Sequence, residues 1–128
     1  MNYVLVIQSA PYSSAALSAL KFAQALAASQ YEISQIFFYG DAVAMVNDLQ
    51  CPPQDELNLL QSWVELLDQS HLRATVCIAA ALRRGVLDEN EAKRYNKIAS
   101  NLRPPFLLAG LGELVEACSS AERVVTFK

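Results

Sequence analysis

Short apolar segments of strand character alternate with segments of helical period along the whole chain, and this alternation restricts the possible folds more than any other feature. Strands are predicted over residues 3–7, 33–39, 73–78, 106–109 and 123–127. Apolar strands that alternate with helices form parallel sheets covered on both faces. The pattern therefore predicts an α/β fold in which helices flank a mainly parallel sheet of about five strands.

Helical periodicity and capping residues predict the connecting helices. They are expected from Ser13 or Ser14 to about residue 29, and over residues 42–47, 55–69, 79–84, 88–97 and 113–119. Asp55 and Glu56 follow two prolines that cannot continue a helix, and acidic side chains favour a helix start. Asp88 with Glu91 resembles a capping box.

The helix over residues 55–69 has an unusually wide apolar surface. One stripe consists of Leu57, Leu60, Val64 and Leu67, and a neighbouring stripe consists of Leu59, Trp63 and Leu66. The two stripes exceed the width that covers one side of a sheet. Two interpretations follow: the helix is buried deeply within a small core, or the Trp63 stripe contacts another subunit.

Length and composition limit the class of protein. The 128 residues predict a single domain over 1–128, and 53% hydrophobic against 18% charged residues is incompatible with disorder. A net charge of −3 argues against strong direct binding of nucleic acid. The longest apolar runs are far shorter than the roughly 20 residues that cross a membrane, and the first residues predict no signal peptide. An apolar chain of this kind suggests a subunit of an assembly.

Three cysteines, Cys51, Cys77 and Cys118, stand far apart in the sequence. Their number is odd, and they form neither a C-x-x-C motif nor a cluster with His71, the only histidine. Neither a disulfide framework nor a zinc site is expected, and a reducing cytoplasm is the favoured compartment.

Functional groups of open parallel sheets collect beyond the carboxyl ends of the strands. Three segments qualify, residues 9–13, 38–41 and 77–81, and Cys77 is the strongest candidate among them. It ends the third predicted strand directly before a short helix, whose N-terminus would favour the thiolate. Such a thiolate could attack sulfane sulfur and hold it as a persulfide. The alternative is that Cys77 is a buried small hydrophobic residue.

The remaining candidates have simpler structural interpretations. Cys118 is expected near the end of an amphipathic helix, with a structural packing role. Cys51 is expected in a loop without neighbours that would activate it. His71 is expected at the amino end of a strand, as a loop residue or helix C-cap. Residues 110–112 predict a tight turn rather than an anion-binding loop. The basic pairs at 83–84 and 93–94 predict solvated helix faces, and the alternative is that they guide an acidic partner or RNA.

The sequence around Cys77 resembles the DsrE/TusD sulfurtransferase family. The segment is Cys77-Ile-Ala-Ala-Ala-Leu-Arg-Arg-Gly-Val-Leu-Asp-Glu-Asn-Glu-Ala. Further likeness lies in Phe22-Ala-Gln-Ala-Leu, Phe37-Phe-Tyr, Asn101-Leu, Phe106-Leu-Leu-Ala-Gly-Leu-Gly, Leu114 with Glu116-Ala, and Arg123-Val-Val. The resemblance spans nearly the whole chain, in order and with similar spacing, and it is greatest to the TusD-like subunits.

The resemblance implies a Rossmann-like three-layer α/β fold and a role in sulfur transfer. Family members of this type assemble with TusB-like and TusC-like subunits into a heterohexamer. That complex receives sulfur from a TusA-like donor and passes it to a TusE-like acceptor, in the relay that ends in 2-thiolation of the tRNA wobble uridine. The sulfur-accepting cysteine of the family falls on Cys77, and no metal or organic cofactor is expected.

Two other interpretations remain open at the level of sequence. The related DsrE-type subunits of dissimilatory sulfur oxidation share the cysteine. Relatives without an active cysteine serve structural roles, so the chain could also be a non-catalytic interaction subunit in which Cys77 is inert.

Overall fold

The computed structural model describes residues 1–128 and contains one sheet of five parallel strands. The strands are β1 (Asn2–Ile7), β2 (Glu32–Phe38), β3 (Ala74–Cys77), β4 (Phe106–Ala109) and β5 (Arg123–Phe127). Their order across the sheet is β4-β3-β2-β1-β5. The predicted α/β class and strand number are confirmed, and each strand lies within one or two residues of its predicted bounds.

Helices connect each strand to the next. They are α1 (Ser14–Ala27), a 3₁₀ helix (Gly40–Val46), α2 (Leu59–Ser70), α3 (Ile78–Arg83), α4 (Glu89–Arg94) and α5 (Leu111–Ser120). None of them is long and apolar enough to cross a bilayer.

Side-chain caps set the starts of the helices. The Ser13 hydroxyl accepts a hydrogen bond from the backbone N–H of Ala16, as its position before α1 predicts. The predicted start of α2 near Asp55 is wrong. Asn58 caps that helix by accepting from the N–H of Gln61 at 3.1 Å, so the acidic residues lie in the preceding turn.

The predicted end of α4 is also wrong by three residues. The helix stops at Arg94 because the chain turns at Asn96, whose φ of +54° lies in the left-handed region. Asp88 caps α4 as expected, accepting from the N–H of Glu91 at 2.8 Å. At the other boundary, α5 begins two residues earlier than predicted, at Leu111.

The main core lies between one face of the sheet and the layer formed by α1 and α2. Phe38 of β2 packs edge-to-face against Trp63 of α2, and Phe127 of β5 packs against Phe22 of α1. Trp63 is only 1% exposed. Of the two interpretations of the Trp63 stripe, the structure therefore supports deep burial in the core of this chain.

The opposite face of the sheet carries α5. Side chains alternate along a strand, so Gln35 and Thr75 point away from the Phe38 face. Arg73, two residues before Thr75, forms an ion pair with Glu113 of α5, which places α5 on this second face. No residue of α5 is fully buried, so this layer covers the sheet thinly.

Candidate functional site

Cys77 lies at the carboxyl edge of the sheet, in the position that the sequence predicts. It is the last residue of β3 and immediately precedes α3. Its side chain is 1% exposed and belongs to the same buried apolar cluster as Ala42, Val43, Ala80 and Ala81. In the isolated chain the thiol is therefore shielded from solvent.

The start of α5 lies beside Cys77. In the sheet, Cys77 pairs with Ala109 of β4, and the next residue, Gly110, begins α5 as its N-cap. Gly110 offers no side chain to the first N–H groups of that helix. Those groups carry partial positive charge, so the ten-residue α5 favours a negatively charged group near the end of β3.

An ion pair joins the two short helices next to Cys77. Arg84, directly after α3, donates from Nη2 to the Oδ1 of Asp41 in the 3₁₀ helix at 3.1 Å. Its Nη1 donates to the carbonyl oxygen of Ala80 at 3.1 Å, which fixes the guanidinium against α3. Arg83 is exposed and makes neither kind of bond with its side chain.

The sequence predicts the same solvated position for both arginines, and the structure distinguishes them by their partners. Arg83 has the predicted solvated position, whereas the Arg84 side chain is 34% exposed and paired with Asp41. The pairing with Asp41 could not be read from the sequence, because 43 residues separate the partners. The sequence does indicate that the two regions lie near each other, because residues 38–41 and 77–81 are both at the carboxyl ends of predicted strands.

Ser9 belongs to the same edge of the sheet but to a different part of it. It follows β1, is 4% exposed, and its hydroxyl has no hydrogen-bond partner within the chain. Its backbone N–H donates to the carbonyl oxygen of Phe127 at 3.1 Å. Because β2 lies between β1 and β3, Ser9 is about 10 Å from the position of Cys77 at the usual strand spacing. The structure does not bring these two side chains together.

The other candidate residues lie apart from Cys77. Cys51 is exposed in the loop before α2, Cys118 is half-buried in α5, and all three cysteines are free. His71 is the C-cap of α2 at the amino edge, with a φ of +51°, which confirms one of the two roles expected for it. No group of three or more His, Cys, Asp or Glu side chains is arranged to hold a metal ion.

Comparison with known proteins assigns this architecture to a family. The sequence profile of the DsrE/DsrF-like family matches residues 1–127. The chain belongs to the DsrE/DsrF-like family. The expectation drawn from the segment around Cys77 is thereby confirmed at the level of the family.

Named relatives of this family match the chain over nearly its whole length. It is 45% identical to sulfurtransferase TusD of Serratia proteamaculans over 128 residues, covering 99% of each chain. It is 45% identical over 127 residues to the sulfurtransferase TusD homolog of Pseudomonas aeruginosa, covering 99% of this chain and 97% of the relative. The corresponding identity to DsrE of Allochromatium vinosum is 44%, covering 99% and 98%.

Solved structures share the fold. The YchN protein of Escherichia coli superposes with a TM-score of 0.76 at 25% identity, covering 99% of this chain and all of the other. A protein of unknown function from Methanobacterium thermoautotrophicum, MTH1491, gives a TM-score of 0.71 at 16% identity, covering 98% and 97%. The second likeness concerns the fold alone.

Proposed function

We propose that this chain is a sulfurtransferase subunit that accepts sulfur on Cys77 as a persulfide and passes it to a cysteine of an acceptor protein. The single observation that supports this most directly is the position of Cys77, a cysteine at the carboxyl end of a central parallel strand in a chain 45% identical to a TusD sulfurtransferase. That end of the sheet is where α/β proteins place their reactive groups.

The start of α5 lies beside the candidate sulfur. Cys77 pairs with Ala109 of β4, and the N–H groups of the first turn of α5, which follows directly, carry partial positive charge. Sulfur exchange passes through anionic sulfur, so a helix start at this position supports the proposal.

The transfer itself is an exchange of one sulfur–sulfur bond for another. The Cys77 thiolate attacks the terminal sulfur of a donor persulfide, and a bond forms between that sulfur and Sγ of Cys77. The bond between the terminal sulfur and the donor cysteine breaks, and the donor leaves as a thiolate that takes up a proton. The acceptor cysteine repeats the same exchange on Cys77. No external oxidant or reductant is needed, because the thiolates and the transferred sulfur conserve their electrons.

We place this reaction in the relay that leads to 2-thiolation of the tRNA wobble uridine in the cytoplasm. In this proposal a TusA-like protein donates the sulfur, a TusE-like protein accepts it, and TusB-like and TusC-like chains complete a heterohexamer. The supporting observation is the identity to two proteins named TusD, at full length in both. The acidic chain does not need to bind tRNA itself, since it hands sulfur only to another protein.

A second candidate function is that of an interaction subunit with an inert cysteine. The burial of Cys77 at 1% exposure favours it, because a thiol buried in the apolar core cannot meet a donor without a local movement.

Mass spectrometry after incubation with a persulfide donor separates these two functions. We expect a single added sulfur atom, 32 Da, on Cys77 of the wild-type chain and its loss in Cys77→Ser, because only a thiolate at that position completes the exchange. Cys51→Ser and Cys118→Ser serve as matched controls and should retain the adduct on Cys77. An equal adduct in wild type and Cys77→Ser would contradict the assignment of the transferred sulfur to Cys77.

The pathway is tested in the cell. DsrE of Allochromatium vinosum is nearly as similar as the TusD proteins, so a DsrE-type role in sulfur oxidation is the alternative. Deletion of the gene should deplete 2-thiouridine in tRNA, and the wild-type gene but not Cys77→Ser should restore it. Unchanged 2-thiouridine after deletion would favour the sulfur-oxidation role.

A further inference from the structure

We propose that the Asp41–Arg84 ion pair keeps the Cys77 thiol closed, and that Arg84 is a positioning residue that sets how often the thiol becomes accessible. This inference rests on the proposed function, since only a reactive cysteine needs controlled access. It concerns a different event, however: the opening of the site rather than the transfer of sulfur.

Cys77 is 1% exposed, so a thiol of another protein cannot reach it without a local movement. β3, which ends at Cys77, packs against the 3₁₀ helix, and α3 packs against both of them. α3 is covalently continuous with Cys77, so a shift of α3 away from the 3₁₀ helix necessarily changes the surroundings of the sulfur.

The Asp41–Arg84 pair is the polar link between these two elements. Arg84 is anchored to α3 through the carbonyl of Ala80 and reaches the 3₁₀ helix through Asp41. Separation of the two helices breaks the second bond and leaves the first intact. The pair therefore stabilises the closed arrangement without stabilising the open one.

A glycine bounds each of the two segments. The 3₁₀ helix begins at Gly40, with a φ of +59°, and α3 is followed by Gly85, with a φ of +75°. Glycine adopts more backbone conformations than other residues, so a change of dihedral angles costs less at these two points than elsewhere in the segments.

The ion pair is weak enough to break and re-form, so it can regulate access to Cys77 without holding the site closed permanently. The Asp41 side chain is 71% exposed and that of Arg84 is 34% exposed, so water weakens their attraction. Exposed ion pairs of this kind change an equilibrium by only about two- to fivefold. A docking donor that offers its own charged groups to Arg84 or Asp41 can replace the pair.

The rate of alkylation of each cysteine by iodoacetamide, followed by mass spectrometry of peptides, tests whether the pair controls access to Cys77. We expect Arg84→Gln to raise the rate at Cys77 about two- to fivefold. Arg83→Gln is the matched control. It removes the same positive charge at the neighbouring position, from an arginine that has no ion-pair partner. It should leave the rate at Cys77 within experimental error of wild type, and Arg84→Lys should lie between wild type and Arg84→Gln.

Two internal controls exclude other causes. General loosening of the fold would raise the rate at the half-buried Cys118 as well, so that rate should stay constant. Loss of positive charge alone would not raise the rate at Cys77, because a nearby cation favours rather than disfavours a reactive thiolate. Asp41→Asn should raise the rate as Arg84→Gln does, and the double variant should add nothing to either single one.

Equal alkylation rates at Cys77 in Arg84→Gln and Arg83→Gln would contradict the proposal that the Asp41–Arg84 pair controls access to the thiol. Parallel loading with a persulfide donor keeps this result distinct from failure of the proposed function. If both variants still acquire the extra sulfur on Cys77, the transfer role stands and the proposal on access alone is wrong. If no variant and no wild-type chain acquires it, the transfer role fails whatever the alkylation rates are.

Discussion

At the scale of single residues, the polar side chains inside the sheet matter because each has one specific partner. Gln35 of β2 donates from Nε2 to the hydroxyl of Thr75 in β3 at 2.6 Å, and both residues are buried. Thr75 lies two residues before Cys77 on the same face of the strand. The bond therefore holds β2 and β3 together directly below the candidate site.

Replacement of Thr75 by valine tests this bond. The change preserves the shape of the side chain but leaves the Gln35 amide buried without its partner, so we expect the free energy of unfolding to fall by about 1–3 kcal/mol. Urea denaturation measures the change. Thr126→Val, at an exposed position of β5, is the control and should change stability by less than about 0.5 kcal/mol. A similar loss in both variants would mean that the hydrogen bond contributes nothing specific.

At the scale of elements, caps decide where the helices begin. The acidic pair at residues 55–56 suggested an early start for α2, yet the helix begins at Leu59, after Asn58. A side-chain oxygen that reaches the N–H of Gln61 satisfies one backbone donor directly. Charge near a helix end acts over a longer range but more weakly, since water screens it.

The variant Asn58→Ala checks this assignment. Loss of the cap should lower the free energy of unfolding by about 1 kcal/mol, measured by thermal or urea denaturation. Asp55→Asn is the matched control, and it should leave stability within about 0.5 kcal/mol of wild type because Asp55 precedes the helix by a full turn. If Asp55→Asn were the more damaging change, the helix would begin earlier in solution than in this structure.

At the scale of the whole molecule, the two faces of the sheet are unequally covered. The face under α1 and α2 contains most of the large buried side chains, with Trp63 packed against Phe38 at a ring-centroid distance of 5.4 Å. On the α5 side, Val115 of the helix and Val124 of β5 remain 68% and 45% exposed. Most of the hydrophobic stabilisation therefore comes from the first face.

Truncation of one side chain in each layer measures this inequality. We expect Trp63→Ala to lower the free energy of unfolding by about 3–5 kcal/mol, because it leaves a cavity in the core. Trp63→Phe retains part of the packing and should cost less, which keeps the comparison measurable if the alanine variant does not fold. Val115→Ala should change stability by less than about 0.5 kcal/mol. Comparable losses from Trp63→Phe and Val115→Ala would contradict the unequal layers.

Local sequence patterns were enough to predict the strands, the approximate helices, the α/β class and the place of Cys77 at the end of a strand. These follow from local patterns, since β-branched runs, helical periods and caps depend on residues a few positions apart. Tertiary structure alone decided the strand order, the burial of Cys77 and the choice of Arg84 over Arg83 as the partner of Asp41. Those features depend on which segments meet in space, and side chains 43 residues apart become neighbours only after the parallel strands have set their register.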